Sequence, residues 1–160
     1  MKEAEYTLRR LENNKHDRAL LEEFDKKLSA FEKTLNERLI EGKHIIYNNI
    51  AHVFESGDCA AYVAEYNGEP IGYIVGKLKK SLPWFKNEKY GYIESMFVES
   101  THRKKGIATM LFTSLKKWFL DNGIKTLELR TFSNNDRAIE LYKKWGFNPH
   151  VTEMVCNIEE

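Results

Sequence analysis

The sequence has few cysteines and prolines, no long apolar run and almost no net charge. Its 160 residues include two cysteines and three prolines, and its formal charge is +1. Cys59 and Cys156 form no CxxC pair, so the sequence gives no support to a zinc or redox site. A charge near zero argues against bulk attraction to nucleic acid, and no apolar run approaches membrane-spanning length. Any anion-binding site must therefore be local.

The N-terminus is charged rather than apolar. Residues 1–10 lack the apolar core of a secretory signal peptide. We therefore expect a cytoplasmic protein that binds neither nucleic acid nor membrane. The length fits one domain, and we predict a single domain over 1–160, with a helical segment over 1–56 and a core over 57–160.

The first 56 residues have mainly helical periodicity. After a short strand-like stretch over 5–11, apolar residues at helical spacing predict a helix over 17–30, with Asp17 as its cap. Further helical segments are predicted over 32–40 and 43–55. Ser56-Gly57-Asp58 then ends this part of the chain.

The core alternates strands and helices. Strand-like residues 59–66 and 70–80 flank Asn67-Gly68, a tight-turn signal that predicts a hairpin. The later strand–helix–strand order predicts parallel neighbours, so we expect an α/β fold with a mixed sheet and helices on both faces. The remaining predicted elements are strand 90–99, helix 106–121, strand 124–131, helix 135–145 and strand 147–157.

One segment combines a strand end, a basic turn and a helix start, from Val98 to Thr109. A helix N-terminus presents unpaired N–H groups and the positive end of the helix dipole, which together bind phosphate. Gly106 lets the backbone approach a ligand, Ala108 is small and Thr109 offers a hydroxyl. On this pattern alone a solvated basic helix start remains an alternative, and neither GxxxxGK[ST] nor GxGxxG is present. Local positive charge comes from Arg103, Lys104 and Lys105, and we call residues 103–109 the cradle.

Two motifs make the chain resemble the GNAT superfamily, the Gcn5-related N-acetyltransferases. The family pattern Q/R-x-x-G-x-G/A appears as Arg103-x-x-Gly106-x-Ala108. The pattern N-x-x-A-x-x-x-Y-x-x-x-G-F appears without a gap as Asn135-x-x-Ala138-x-x-x-Tyr142-x-x-x-Gly146-Phe147. The resemblance runs from about Cys59 to Phe147 and is weak over the first 55 residues.

The resemblance implies the GNAT fold, with a central sheet splayed between its strands 4 and 5, here 90–99 and 124–131. It implies acetyl-CoA as co-substrate, no metal, an acetyl-CoA-binding core over 57–160 and an acceptor-side segment over 1–56. The pantetheine arm would pair with backbone groups in the gap between the strands and contact Asn135, and the pyrophosphate would lie on the cradle. The implied cofactor-binding residues are Phe97, Val98, Arg103, Lys104, Lys105, Gly106, Ile107, Ala108, Thr109, Asn135, Ala138 and Tyr142.

Acetyl transfer to an amine requires a base, an acid and an oxyanion donor. The resemblance implies Tyr142 as the general acid for the leaving thiolate, with a core-packing tyrosine as the alternative. Glu94 lies inside a predicted strand, where a carboxylate is costly unless it is used or paired. We predict Glu94 as base or amine binder, with a paired structural carboxylate as the alternative. By resemblance, the backbone N–H near Val98 is the oxyanion donor.

The acceptor is less well defined by the sequence. Bacterial ribosomal-protein N-terminal acetyltransferases resemble this chain but carry a glutamate at the position of Arg130, so their acceptor chemistry does not transfer. Glu128 shares a strand face with Arg130 and is an alternative carboxylate. We expect a primary amine and favour a small molecule over a peptide or protein. The Trp84-Phe85 loop lies where acceptor contacts usually occur in this fold, whereas His102 is expected to be merely exposed.

Two non-catalytic alternatives remain: a CoA-binding regulatory module and a scaffold domain. The presence of Tyr142 and Glu94 argues against the first, and the intact cradle argues against the second. A homodimer is common for this fold and remains open.

Overall fold

The computed structural model describes residues 5–40 and 49–158, in two compact units. The first unit, Met1–Arg130, contains five described strands and three described α-helices. The second unit, Thr131–Glu160, contains one described helix. Residues 43–48 of the helical segment predicted over 43–55 lie outside the described residues, and the described remainder of that segment contains α2, Ile50–Glu55.

The five strands form one sheet in the order β1-β2-β3-β4-β5. The first four pair antiparallel, and β5 pairs parallel with β4, so the predicted mixed sheet is confirmed. The predicted hairpin joins β2 to β3, where Asn67 and Gly68 both have the positive φ that a tight hairpin turn favours. The strands are β1 Tyr6–Arg10, β2 Cys59–Tyr66, β3 Glu69–Lys80, β4 Lys89–Val98 and β5 Leu127–Leu129.

The first helix, α1, runs without a break from Lys15 to Leu35. The prediction of two segments, over 17–30 and 32–40, is wrong, because no glycine or proline interrupts the sequence between them. The helix ends at Asn36, whose backbone is extended. Its amphipathic pattern was nevertheless a correct indication of one buried face.

The cap of α1 also differs from the prediction. Asn14, and not Asp17, caps the helix, and its side chain accepts a hydrogen bond from the Asp17 N–H at 2.9 Å. The Asp17 carboxylate is 1% exposed and accepts two hydrogen bonds from Arg9, each at 2.9 Å. The Arg9 guanidinium holds the pKa of Asp17 below its usual value. This ion pair fixes the start of α1 to β1.

Helices α1 and α2 cover one face of the sheet. Phe24 of α1 stacks on Tyr73 of β3, with ring centroids 5.3 Å apart. Burial of this apolar face supplies the main driving force for docking the two helices. The buried core on this side consists of Leu11, Leu21, Phe24, Leu28, Ile50, Val53, Cys59, Ala61, Val63, Tyr73 and Val75.

The third helix, α3, runs from Ile107 to Asp121 and packs on the opposite face. A Cβ built on Gly76 would lie 2.6 Å from Leu115 Cδ1, and one built on Gly91 would lie 2.6 Å from Phe119 Cδ1. Only glycine at these two positions allows α3 to approach the sheet this closely. Helices therefore lie on both faces of the sheet, as predicted. The buried residues of α3 are Ile107, Leu111, Phe112, Leu115, Trp118 and Phe119.

The second unit contains α4, Asp136–Lys144. The strand predicted over 147–157 is wrong, since residues 147–158 contain no strand. Pro149 has no N–H to give to a ladder, and the apolar side chains beyond it remain exposed instead of packing. Likewise the strand predicted over 124–131 is shorter in the structure, where β5 spans three residues.

Candidate active site

The outer half of β4 has an open edge. The parallel ladder to β5 joins Gly91, Tyr92 and Ile93 to residues 127–129 and then stops. From residue 95 to 98, β4 continues to pair with β3 on its other side. The predicted separation of these two strands is thus present, and it leaves an edge to which an extended ligand can add.

The backbone N–H of Val98 points to this open edge. The next amide, that of Glu99, donates to the Ile71 carbonyl of β3 at 2.8 Å. Successive N–H groups of an extended strand point to opposite sides, so the Val98 amide faces away from β3. The residue for which an oxyanion donor is predicted therefore presents its donor on the side where β5 is absent.

A β-bulge places Glu94 at the point where the strands separate. Val75 pairs with Ser95, but Gly76 pairs with Ile93, so Glu94 is the extra residue on β4. A bulge changes the direction of a side chain and commonly occurs beside active sites. The Glu94 side chain is 15% exposed, and its Oε1 lies 3.4 Å from Lys79 Nζ. The predicted carboxylate is therefore largely buried, beside the open edge.

Two tyrosines, Tyr90 and Tyr92, and a second carboxylate, Glu128, lie near Glu94 on β4 and β5, and we call these four residues the carboxylate cluster. Tyr92 pairs with Glu128 across the parallel ladder. Burial raises the pKa of Tyr90, and the negative charges of Glu128 and Glu94 raise it further. Burial also raises the pKa of Tyr92, and the charge of Glu94 adds to this effect. Glu94 and Glu128 are candidates from the sequence, whereas the two tyrosines are not among the residues predicted from it. Tyr90 and Tyr92 alternate along the strand with Gly91 and Ile93, and this period of two is the signal that would have placed the tyrosines on the same face as Glu94.

A pocket of about 250 Å³ lies at the start of β4. Phe85 lines it, whereas the neighbouring Trp84 is 75% exposed. Asn87 closes one side by donating to Thr126 Oγ1 at 2.8 Å. The predicted aromatic loop thus contributes one of its two rings to a pocket that shares residues with the carboxylate cluster. The lining is Ser81, Phe85, Lys86, Asn87, Tyr90, Thr126 and Glu128.

The cradle has an unusual backbone. Lys104 and Gly106 have φ of 60° and 80°, with Gly106 as the N-cap of α3. Successive turn residues of this kind direct N–H groups into an anion-binding concavity. No side chain of the described residues caps α3, and a Cβ on Gly106 would meet nothing within 4 Å. The helix start is therefore open to a ligand, and the positive φ of Lys104 was not evident from the sequence.

Arg103 closes the cradle onto the end of β4. Its Nε donates to the Val98 carbonyl at 2.8 Å, and its guanidinium lies 5.6 Å from the centroid of the Phe97 ring. Lys104 and Lys105 are exposed, whereas Ile107 is buried. His102, expected to be exposed, is half-buried with its ring centroid 5.1 Å from that of Tyr66.

The second motif forms the start and end of α4 in the other unit. Asn135 caps the helix, and its Oδ1 accepts from the Ala138 N–H at 3.4 Å. The Tyr142 ring packs against Trp145 and Phe147, at centroid distances of 5.7 and 6.1 Å. These contacts give Asn135, Ala138 and Tyr142 structural roles within this unit, beside the cofactor roles predicted for them.

One group of described side chains has the composition of a metal site. Ligand atoms of His52, Asp58 and Cys59 lie within 4.8 Å of one another. Burial raises the pKa of the Cys59 thiol to about 11. Because a metal takes the thiolate, binding here would have to displace the thiol proton against this shift.

A family model links these features to known proteins. The model described as Acetyltransferase (GNAT) family matches residues 11–147, which include β4, the cradle and the second motif. The chain belongs to this family. The prediction of a GNAT acetyltransferase is thereby confirmed at the level of family.

Individual relatives cover different shares of the chain. Streptothricin acetyltransferase of Escherichia coli is 37% identical over 90 residues, 56% of this chain but 48% of that protein. An N-alpha-acetyltransferase of Sulfurisphaera tokodaii is 31% identical over 120 residues, 71% of this chain and 70% of that protein. A predicted acetyltransferase from Clostridium acetobutylicum, solved with acetyl-CoA, has a TM-score of 0.75 at 21% identity over 96% of each chain. This structural likeness confirms the fold. Among the described helices, none has the length and apolar character to cross a bilayer.

Proposed function

We propose that the protein is an N-acetyltransferase that moves an acetyl group from acetyl-CoA to a primary amine by direct attack in a ternary complex. The main support is the arrangement on β4. A largely buried carboxylate, Glu94, lies on a bulge where the ladder to β5 ends, and the same strand leads into an uncapped helix start. Base, open edge and phosphate cradle thus follow one another along one segment.

The cradle fits the pyrophosphate of acetyl-CoA. The uncapped start of α3 and the open space at Gly106 allow a phosphate to reach the backbone N–H groups of residues 106–108. Lys104 and Lys105 add positive charge at this point. The pantetheine arm, which carries amide groups, would pair with the open edge of β4 at Phe97 and Val98.

The reaction requires removal of a proton from the acceptor ammonium, because an ammonium has no lone pair. Glu94 is the proposed base, since it is a largely buried carboxylate on the bulge where the ladder to β5 ends. The Val98 N–H is the proposed donor to the oxyanion. Tyr142 is the proposed acid that protonates the CoA thiolate, on the basis of the second motif.

The acceptor class is proposed from the cluster beside Glu94. Glu128 and the ring of Tyr90 line a pocket of about 250 Å³, a size suited to part of a small cationic amine, and the negative charge of Glu94 acts on Tyr90 as well. The 37% sequence identity to streptothricin acetyltransferase over 90 residues supports a small-molecule acceptor. The longer match to the N-alpha-acetyltransferase supports a second candidate, acetylation of a peptide N-terminus.

A panel of acceptors tests this proposal. Release of the CoA thiol from acetyl-CoA is followed with polyamines, aminoglycosides, amino acids and short peptides. Glu94→Gln and Tyr142→Phe are expected to lower turnover about 100-fold or more, the range of general acid–base catalysis. Glu128→Gln is the matched control for charge, and should change the acceptor KM more than kcat.

Three results separate the alternatives. Turnover confined to peptides would replace the small-molecule acceptor by a protein acceptor. Tight acetyl-CoA binding without turnover on any acceptor would favour the regulatory module. Absence of both binding and turnover would contradict the proposed function.

A further inference from the structure

The ammonium of Lys79 occupies a site with the properties expected for an acceptor amine. Its Nζ lies 3.4 Å from Glu94 Oε1 and 3.4 Å from the centroid of the Tyr92 ring. Lys79 pairs with Tyr90 in the β3–β4 ladder, so its side chain extends along β4 to the bulge. The first unit thus already holds a primary ammonium between a carboxylate and an aromatic face.

We propose that Lys79 is an intramolecular acetyl acceptor, modified by the protein's own transferase activity. The inference rests on the proposed function, because it uses Glu94 as the base. Lys79 differs from other lysines of β3 in its contact with that carboxylate. Its neighbour Lys80 is one residue along the strand and therefore projects to the opposite face.

The step is balanced without any further reagent. Glu94 takes a proton from the Lys79 ammonium, and the nitrogen lone pair then attacks the thioester carbonyl of acetyl-CoA. A C–N bond forms and the C–S bond breaks, so that the electron pair leaves on sulfur. The nitrogen loses its second proton as the C–S bond breaks, and the CoA thiolate gains a proton, so that the products are Nε-acetyl-lysine and the CoA thiol. Glu94 then releases the first proton to solvent.

Acetylation would change the site in a defined way. The modified side chain carries a neutral amide and loses both the ion pair with Glu94 and the cation–π contact with Tyr92. The added acetyl group would remain beside the carboxylate, where an external amine must bind. Self-acetylation would therefore compete with external acceptors and lower their turnover.

The test uses the full chain and acetyl-CoA without an external amine. Peptide mass spectrometry measures the acetylated fraction of Lys77, Lys79 and Lys80 over time. We expect Lys79 to be acetylated at least about 10-fold faster than Lys80, and the half-time to stay constant on dilution because the step is intramolecular. Glu94→Gln should slow Lys79 acetylation about 100-fold. Melting curves check that this variant is folded.

A second variant separates this inference from the proposed function. Lys79→Arg keeps the cation but removes the acceptor, so residue 79 should carry no acetyl group in this variant, while thiol release by the wild type with external amines reports the proposed function separately. Turnover of external amines with Lys79 acetylated no faster than Lys80 would overturn the inference and leave the proposed function intact. Equal rates of Lys79 acetylation in the wild type and in Glu94→Gln would also overturn the inference, because they would indicate simple chemical acetylation. No transfer to any amine or to Lys79 would overturn both.

Discussion

Replacing Gly106 by alanine should weaken the binding of acetyl-CoA in addition to its modest effect on the stability of the fold. Gly106 has φ of 80°, and a Cβ there would meet nothing within 4 Å. The structural cost is therefore the strain of a left-handed alanine, about 1–2 kcal/mol. The new methyl group would, however, occupy the surface where the proposed pyrophosphate approaches the helix N–H groups.

The expected loss of affinity follows from those hydrogen bonds. A hydrogen bond to a charged group contributes about 1.5–3 kcal/mol, so losing one raises Kd about 10- to 100-fold. Gly123 offers a matched control, because it follows the other end of α3 with φ of 74° and an equally empty Cβ position. Gly123→Ala should lose a similar amount of stability and no affinity.

Two measurements on each variant decide the question. Urea denaturation gives the free energy of unfolding, and isothermal titration with CoA gives Kd. Equal affinity of Gly106→Ala and wild type, at comparable stability, would refute the cradle. An equal loss of affinity in both variants would show that the effect comes from the stability of α3 and not from ligand contact.

Three further predictions concern the fold and its thiols. Gly76→Ala should lower the free energy of unfolding by about 1–3 kcal/mol in urea titrations, because its Cβ would lie 2.6 Å from Leu115 Cδ1, whereas unchanged stability would contradict the close packing of α3. Asp17→Asn should cost about 1–3 kcal/mol at pH 7. Because the folded pKa of Asp17 is lowered, its contribution is fully present above the unfolded pKa, about 3.9, and is lost as the pH falls from there through the folded pKa. Acid unfolding should therefore be less steep in the variant. In the native protein Cys156 should react with Ellman's reagent well before Cys59, whose buried thiol has a pKa of about 11, and equal rates would contradict this burial.

The sequence predicted those parts of the fold that depend on local signals. Asn67-Gly68 specified the hairpin because both residues tolerate positive φ. The glycine and small residue at Gly106 and Ala108 specified the start of α3. The hairpin signal and the later strand–helix–strand order together predicted the mixed sheet, because the first implies antiparallel and the second parallel neighbours.

The parts that failed depend on contacts distant in sequence. Asp17 looked like a cap, but its carboxylate binds Arg9 of β1, a partner that helix signals do not reveal. The strand predicted near Val151 has suitable residues, but no strand forms there in the described chain. A strand depends on a partner more than on its own propensity.

The candidate site was only partly accessible from sequence for the same reason. Glu94 was identified because a carboxylate inside a strand is unusual. The bulge that directs it, and the approach of Lys79, depend on the register between β3 and β4. Periodicity alone does not fix that register.

The central claim is that acetyl passes directly from CoA to an amine. It is tested by measuring the CoA thiol and the N-acetylated amine in one reaction, with acetyl-CoA in large excess over protein. The account predicts equal amounts of the two products, with no sustained thiol release when the amine is omitted. Sustained thiol release without an acetylated amine would instead indicate thioester hydrolysis and contradict the account.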